Sequence, residues 1–442
     1  FTFACEAPQT KITTNQTVAN NAPVSNTSTA TAQANRAGSA TLPVTLPVLD
    51  AMFVDETFAV DLKSKLQLTD EQIDRLKTTA REAVSNLSEE GYDENAGSTR
   101  AAVERSSNRI REILGEEKAA QLFEMVSQRW SGGEEDARNV AETSAARPGS
   151  VPTDTRVVVN APAYRMDLFD DGKLVKTYKI GIGYPEFPLP VGMRKADTII
   201  FNPTWTPPDE AWVKGKFAPG KTVEAGSKDN PLGPIKIPIG LPSLIHGGKA
   251  AARLGNFASH GCVGLTSPQI QDFAFNIARL SGTELMPEDV KNYEKQKSET
   301  KNVKLENTVP VELRYETIVV ENGKLKIYRD VYERGTNTEE NLRAVLDGFG
   351  VSMDSLDKRL RENILSGLKQ MAIDATGQPV DPNGNANGNL NAGANGNQNS
   401  KSNDNSDGGS VTRNIKGKKE VSFDIAELKG KGFPAPVNLS QK

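Results

Sequence analysis

The sequence predicts a multidomain protein: a small α-helical module followed by a mainly-β domain, with a disordered N-terminal tether and an Asn/Gly-rich C-terminal segment. Three observations predict it. Apolar residues recur at the helical period between about residues 55 and 130, whereas from Arg156 onward they alternate and are broken by turn dipeptides. A length of 442 residues exceeds one usual core, so more than one domain is expected. An apolar fraction of 36% and a mean hydropathy of -0.50 are low for a chain packed throughout, so part of it is expected to be disordered.

Residues 1–50 are rich in Thr, Asn, Ala, Ser and Gln and read as a tether. Their start, Phe1-Thr2-Phe3-Ala4-Cys5, resembles the end of a bacterial lipoprotein signal, with small Ala4 before Cys5. A lipid on Cys5 is the expected membrane contact, because no run of 18 or more apolar residues is present to span a bilayer. Residues 51–135 form the helical module. Thr69-Asp70-Glu71-Gln72 fits a capping box, and Ile73, Leu76, Ala80, Val84 and Leu87 come after it at helical spacing. A second helix carries Val103, Ile110, Ile113 and Leu114, and after Gly115 a third carries Leu122, Phe123, Val126 and Trp130. Residues 136–153 are a polar linker.

The β domain is expected over residues 154–285. Arg156–Val159 reads as a strand, and Tyr164–Phe169 and Leu174–Ile182 read as a hairpin turning at Asp171-Gly172. Prolines punctuate the chain from Pro185 to Pro219, which makes this a loop-rich stretch. One helix stands out, with Ser267 as cap, Pro268 in its first turn, Ile270, Phe273, Ala274 and Ile277 on one face, and Gly282 at its end. Residues 286–374 carry an expected second hairpin over 309–332, turning at Asn322-Gly323, and then a helical stretch from 338 to 373 with a stripe at Leu356, Leu360, Ile364, Leu368 and Met371. Residues 375–442 are a low-complexity tail, within which 421–425 has the character of a short strand.

A formal net charge of -4 provides no basic footprint, so nucleic acid is not an expected partner. The chemistry-bearing residues are few: two cysteines and two histidines in the whole chain. His260 and Cys262 lie two apart in FASHGCVGL, so on an extended segment both side chains face one way. His246 reaches the same place if the chain doubles back, which Gly247, Gly248 and Gly255 permit. A thiol near its ordinary pKa is mostly protonated at neutrality and needs a base to become a nucleophile. A carbonyl under attack also needs donors, and the N–H groups of Gly261 and Cys262 are placed to serve. The residues alone leave two readings open, a Cys/His nucleophilic site and an inert buried cysteine beside a structural histidine. A metal held by His246, His260 and Cys262 would lack a further Cys or His to close its shell, so neither metal nor other cofactor is expected.

Together, His246-Gly247 and Ser259-His260-Gly261-Cys262-Val263 resemble the signature of the L,D-transpeptidase (YkuD-type) catalytic domain family, envelope enzymes of peptidoglycan. Asn202-Pro203-Thr204-Trp205-Thr206-Pro207-Pro208 and Asp229-Asn230-Pro231-Leu232-Gly233-Pro234 resemble segments that precede the histidine in that family. The resemblance implies a mainly-β domain and a bacterial cell-envelope location on the periplasmic side. Its implied partners are peptidoglycan tetrapeptide stems, with another stem, an envelope protein lysine or water as acceptor. It implies Cys262 as nucleophile, His246 as proton donor and acceptor, and His260, Gly261 and Ser259 as support for the loop and its oxyanion donors. Gly247, Gly264 and Arg253 are the implied substrate-binding positions. The family usually has arginine after Cys-Val/Ile, where this chain has Gly264. Arg253, Lys249 or Arg194 is then expected to take the place of that arginine from a nearby loop, or donor recognition differs, or activity is low.

Overall fold

The computed structural model describes residues 44–85, 98–130, 148–206, 221–374, 377 and 415–438. Cys5, Leu87, Pro207, Pro208, most of the expected linker and the Asn/Gly-rich run lie outside them.

Five helices build the N-terminal module: α1 (Leu46–Met52), α2 (Glu56–Lys65), α3 (Asp70–Ser85), α4 (Thr99–Leu114) and α5 (Glu116–Trp130). The first of them corrects the expected tether, which does not extend to residue 50. Leu46, Val48, Leu49 and Met52 supply apolar surface that the preceding polar residues lack, and all four are buried. Thr45 caps this helix by accepting from Val48 N–H, and Pro47 occupies its first turn. The capping box forms at α3, where Thr69 N–H donates to Gln72 Oε1 at 3.1 Å and Gln72 N–H donates to Thr69 Oγ1 at 3.2 Å. On α4 the buried line runs Ala102, Ser106, Ile110 and Leu114, so Val103 sits at its flank.

The β domain is a mainly-β curled sheet of eight strands. They are β1 (Arg156–Asn160), β2 (Arg165–Asp170), β3 (Lys173–Lys179), β5 (Gly192–Phe201), β6 (Ile235–Pro238), β7 (Leu244–His246), β9 (Val263–Gly264) and β10 (Lys301–Arg314), in the order β3-β2-β1-β10-β5-β6-β7-β9. Two short strands, β4 (Ile182–Gly183) and β8 (Phe257–Ser259), pair in parallel beside it. The β2–β3 hairpin turns through Asp171 and Gly172, both at positive φ (46° and 75°), the mirror-image turn that matches strand twist.

Helix α6 (Ser267–Leu280) backs the strands that end at the candidate site, burying Ile270, Phe273, Ala274 and Ile277 in the main core. Its cap is Thr266 rather than Ser267. Thr266 Oγ1 accepts from Gln269 N–H, and Gln269 Oε1 accepts from Thr266 N–H, an exchange that needs the threonine three residues ahead of the glutamine. Between Gly264 and this cap lies only Leu265, so the end of β9 is fixed directly to a rigid helix. A short helix, α7 (Pro287–Lys295), then leads towards β10.

Strand β10 corrects two expectations. The sheet does not end at residue 285, because β10 lies between β1, to which it is parallel, and β5, to which it is antiparallel. The alternation at Val309, Val311 and Leu313 therefore belongs to the middle of this sheet rather than to a hairpin arm. The hairpin at Asn322-Gly323 joins β11 (Ile318–Glu321) to β12 (Lys324–Tyr328), and β13 (Glu420–Asp424), from the expected tail, adds to β12. Helices α8 (Glu339–Gly348) and α9 (Lys358–Met371) cover that small sheet and form a third core with it. They replace the single helical stretch expected there, since Gly350 at φ 75° turns the chain and Asp357 caps α9 anew.

The segment after β4 is held from both sides. Thr45 Oγ1 donates to Glu186 O at 2.7 Å and Thr99 Oγ1 to Pro185 O at 3.0 Å, while Tyr332 Oη donates to Gly183 O at 2.8 Å. The Glu333 carboxylate accepts from Ser98 Oγ and Thr99 N–H, tying the start of α4 to the C-terminal part.

Candidate active site

His246 ends β7 and Cys262 precedes β9, and these two strands are neighbours at one edge of the sheet. Strands β7 and β9 pair in parallel, with Ile245 opposite Val263 and His246 opposite Gly264. Cys262 is thus the last residue before β9. The loop Ser259-His260-Gly261-Cys262 crosses from the β4–β8 pair to the main sheet.

Local hydrogen bonds make that loop tight. Cys262 N–H donates to Ser259 Oγ at 3.0 Å, and the Ser259 hydroxyl in turn donates to Cys262 O. Ser243 Oγ donates to Gly261 O at 2.9 Å, and Tyr184 N–H donates to Ser259 O at 2.8 Å. Gly261 has φ of 84°, a left-handed conformation that a side chain resists. The Cys262 N–H is therefore engaged by Ser259, which corrects its expected place among open oxyanion donors and leaves Gly261 N–H as the candidate donor.

His260 stands edge-on to two rings, Phe187 at 4.7 Å and Tyr184 at 5.0 Å between centroids. Both aromatics come from Tyr184-Pro185-Glu186-Phe187, the segment that Thr45 and Thr99 hold from the other side. In the sequence this stretch reads only as proline punctuation. Two aromatics spaced three apart, each followed by a proline, were the signal available.

His246 is 3% exposed, and its Nδ1 lies 2.8 Å from Gly247 O. A carbonyl only accepts, so Nδ1 carries the proton and Nε2 is left as the basic nitrogen. Burial, together with the charge of Lys249, lowers the imidazole pKa to about 3, outweighing the carbonyls of Gly247 and Leu232, which favour the cation. Burial also pushes the half-buried Cys262 thiol up, against the Leu244 N–H and Lys249, which favour the thiolate. The resting pair is a neutral thiol and a neutral imidazole.

The remaining expected positions have other work. A Cβ on Gly247 would lie 2.5 Å from Ile270 Cγ2, so this glycine lets α6 pack against β7 instead of opening a substrate surface. Gly264 exchanges both backbone hydrogen bonds with Gly181 at 2.9 Å. Arg253, in a single 3₁₀ turn, donates to Phe257 O at 2.7 Å and ties its own loop. Among the described residues, no group of three or more His, Cys, Asp or Glu is placed to hold a metal, and no helix is long and apolar enough to cross a membrane.

Residues 154–304 match the family model of the YkuD L,D-transpeptidase catalytic domain. The Probable L,D-transpeptidase YbiS of Escherichia coli (strain K12) is 31% identical over 119 residues, which are 26% of this chain and 39% of the relative. The chain thus spans about two fifths of the length of the curated relatives it matches. Among solved structures, the catalytic domain of an Enterococcus faecium L,D-transpeptidase is 17% identical, covering 37% of this chain and 100% of that one, at a TM-score of 0.23. L,D-transpeptidase 3 of Mycobacterium tuberculosis with a faropenem-derived adduct is 16% identical, covering 38% and 61%, at a TM-score of 0.22. The match to the YkuD L,D-transpeptidase catalytic domain over 154–304 takes in β7, the SHGC loop and β9, where the candidate residues gather.

Proposed function

We propose that the protein is a cysteine-dependent peptidoglycan L,D-transpeptidase of the bacterial cell envelope, acting on tetrapeptide stems through an acyl-enzyme on Cys262. The observation that carries this reading is the pairing of β7 with β9, which puts His246 and Cys262 on neighbouring segments at the edge of the sheet, with the His246 Nδ1 proton held by the Gly247 carbonyl.

Each step uses atoms of these residues. Cys262 Sγ attacks the carbonyl carbon that follows the L-centre of the stem's diamino acid, and His246 Nε2 takes the thiol proton as the C–S bond forms. Because the thiol and imidazole rest neutral, proton transfer accompanies attack instead of preceding it. Negative charge gathers on the carbonyl oxygen, towards which Gly261 N–H is the available donor. The C–N bond then breaks, and the imidazolium returns its proton to the departing D-alanine amine. A thioester remains on Cys262. An acceptor amine attacks it, gives a proton to His246, and expels the Cys262 sulfur, which takes the proton back. Ser259 and His260 hold the loop in which these events occur.

An amine from a second stem gives a cross-link, an envelope protein lysine gives an attached protein, and water gives a trimmed tripeptide. Mass spectrometry of muropeptides incubated with wild type and with Cys262→Ala separates these. New dimers or protein adducts that vanish in the variant are expected. Tripeptides without cross-links would make the enzyme a carboxypeptidase. Unchanged stems with a folded wild type would overturn the reading and leave a peptidoglycan-binding protein.

A further inference from the structure

The loop that carries Cys262 leans on the segment Tyr184-Pro185-Glu186-Phe187, which follows β4. Tyr184 N–H donates to Ser259 O at 2.8 Å, and the Tyr184 and Phe187 rings stand edge-on to His260. Just before the segment, a Cβ on Gly183 would lie 3.2 Å from both N and Cα of Gly261. With so little slack, a shift of the segment moves the loop with it.

The other face of the segment is held by the helical module. Thr45 Oγ1 donates to Glu186 O at 2.7 Å and Thr99 Oγ1 to Pro185 O at 3.0 Å, and both threonines are buried, at 0% and 1% exposure. Leu46 N–H, at the start of α1, donates to Ser106 Oγ of α4 at 2.8 Å, so the two threonines belong to one packed unit. Val191, at the end of the segment, packs against the module's core, whereas Phe187 and Leu189 lie in the main core. A buried carbonyl needs a donor. Here two consecutive carbonyls take theirs from helices far away in sequence, so the place of the segment depends on the module being docked.

We propose that Thr45 and Thr99 are positioning residues for the chemistry at Cys262: through the carbonyls of Glu186 and Pro185, the helical module sets Tyr184 and Phe187 against His260 and thereby sets the nucleophile loop. The inference rests on the reading of Cys262 as the residue that is acylated. Each threonine acts through a carbonyl of the segment. The effect falls on rate, because attack tolerates little error in the approach of the sulfur, and a misplacement of about 1 Å costs up to about a hundredfold.

The test uses the full chain with Thr45→Val or Thr99→Val, which keep the shape and remove the hydroxyl. Ile110→Val is the control, since it weakens the module's core and keeps both hydroxyls. Acylation of Cys262 by a tetrapeptide stem, followed by mass, is expected to slow about tenfold or more in each threonine variant. Stem affinity, titrated in Cys262→Ala carrying the same changes, should stay near its starting value, and Thr45→Ser and Thr99→Ser should restore the rate. The chain has only two histidines, which gives a second reading. In histidine-labelled protein the His260 ring resonances should move in both threonine-to-valine variants, return in the serine ones and stay in place in Ile110→Val. A merely structural role would lower the melting temperature of all three valine variants and leave rate and resonances as in the wild type. An unchanged rate or unmoved His260 resonances in a folded threonine variant, or an equal loss of rate in Ile110→Val, overturns the proposal. Thr99→Val decides where Thr45→Val, which also loses the cap of α1, does not fold. Failure of the acyl-transfer reading is seen separately, as absence of a stem adduct on Cys262 in the wild type while the His260 resonances still respond to the threonines.

Discussion

His246 donates its Nδ1 proton to the carbonyl of its own neighbour, Gly247, at 2.8 Å. The bond lets a buried imidazole act as a base without a carboxylate partner. A backbone carbonyl fixes the tautomer but brings no full negative charge, so it does not hold the imidazolium as an aspartate would. That agrees with a His246 pKa of about 3.

The pH profile of Cys262 acylation should show it. With His246 already deprotonated above about pH 3, kcat/KM has no acid limb near pH 6.5 and rises on the alkaline side as the raised thiol begins to ionise. A stopped-flow series from about pH 5 to 10 checks this. A fall in rate centred near pH 6.5 would show a histidine poised at its ordinary value.

Gly247→Ala should damage the site from its packed side. Its Cβ would meet Ile270 Cγ2 at 2.5 Å, and overpacking of this kind costs about 1–3 kcal/mol. The Gly247 carbonyl would shift with it, so acylation should slow by more than stability alone explains. In an Ile270→Ala background, which lacks the Cγ2 that is struck, Gly247→Ala should cost less than it does in the wild type, read by denaturant unfolding and adduct mass.

Ser259→Ala leaves the buried Cys262 N–H without its acceptor. The expected cost is about 1–3 kcal/mol, with a slower acylation rate because the loop loses its internal tie. Ser259→Thr, which keeps the hydroxyl, should retain most of the rate.

A second prediction about pH concerns stability. Burial raises the Asp167 carboxyl to about 6, despite Arg165 and Thr177. The folded state therefore holds that proton more tightly than the unfolded state, and stability falls as pH rises from about 4 to 6. His246 acts with the opposite sign. Its folded pKa lies below its unfolded value, so stability is full above about pH 6.5 and is lost as pH falls towards 3. Asp167→Asn removes the first effect and should make melting temperature climb more steeply between about pH 4 and 6. An unchanged slope would mean that Asp167 is not titrating in that range.

Much of the candidate site was legible because its residue types are rare. With two histidines and two cysteines, the SHGC loop and His246 had few rivals, and the turn dipeptides at Asp171-Gly172 and Asn322-Gly323 marked hairpins by the positive φ they favour. The rest is set by distant pairing. Nothing local to Val309–Leu313 says that its neighbours are β1 and β5, and alternation reads alike in a hairpin arm and in a central strand. Lys249 is one of three cations with a claim on the missing arginine's place, and only the folded turn at Gly248 puts its stem on Gly264. Arg253 has an equal claim in the sequence, and in the fold its Nη2 donates to the Phe257 carbonyl.

The position of β10 also bears on synthesis. Its parallel partner β1 precedes it by more than a hundred residues, and the helical module precedes both. Emerging from the ribosome or across a membrane, the module can assemble first, while Cys262 and His246 already exist on strands whose sheet lacks its middle. Cys262 and His246 are therefore made before the strand that completes their sheet, and any truncation short of Arg314 would leave the candidate site without its frame.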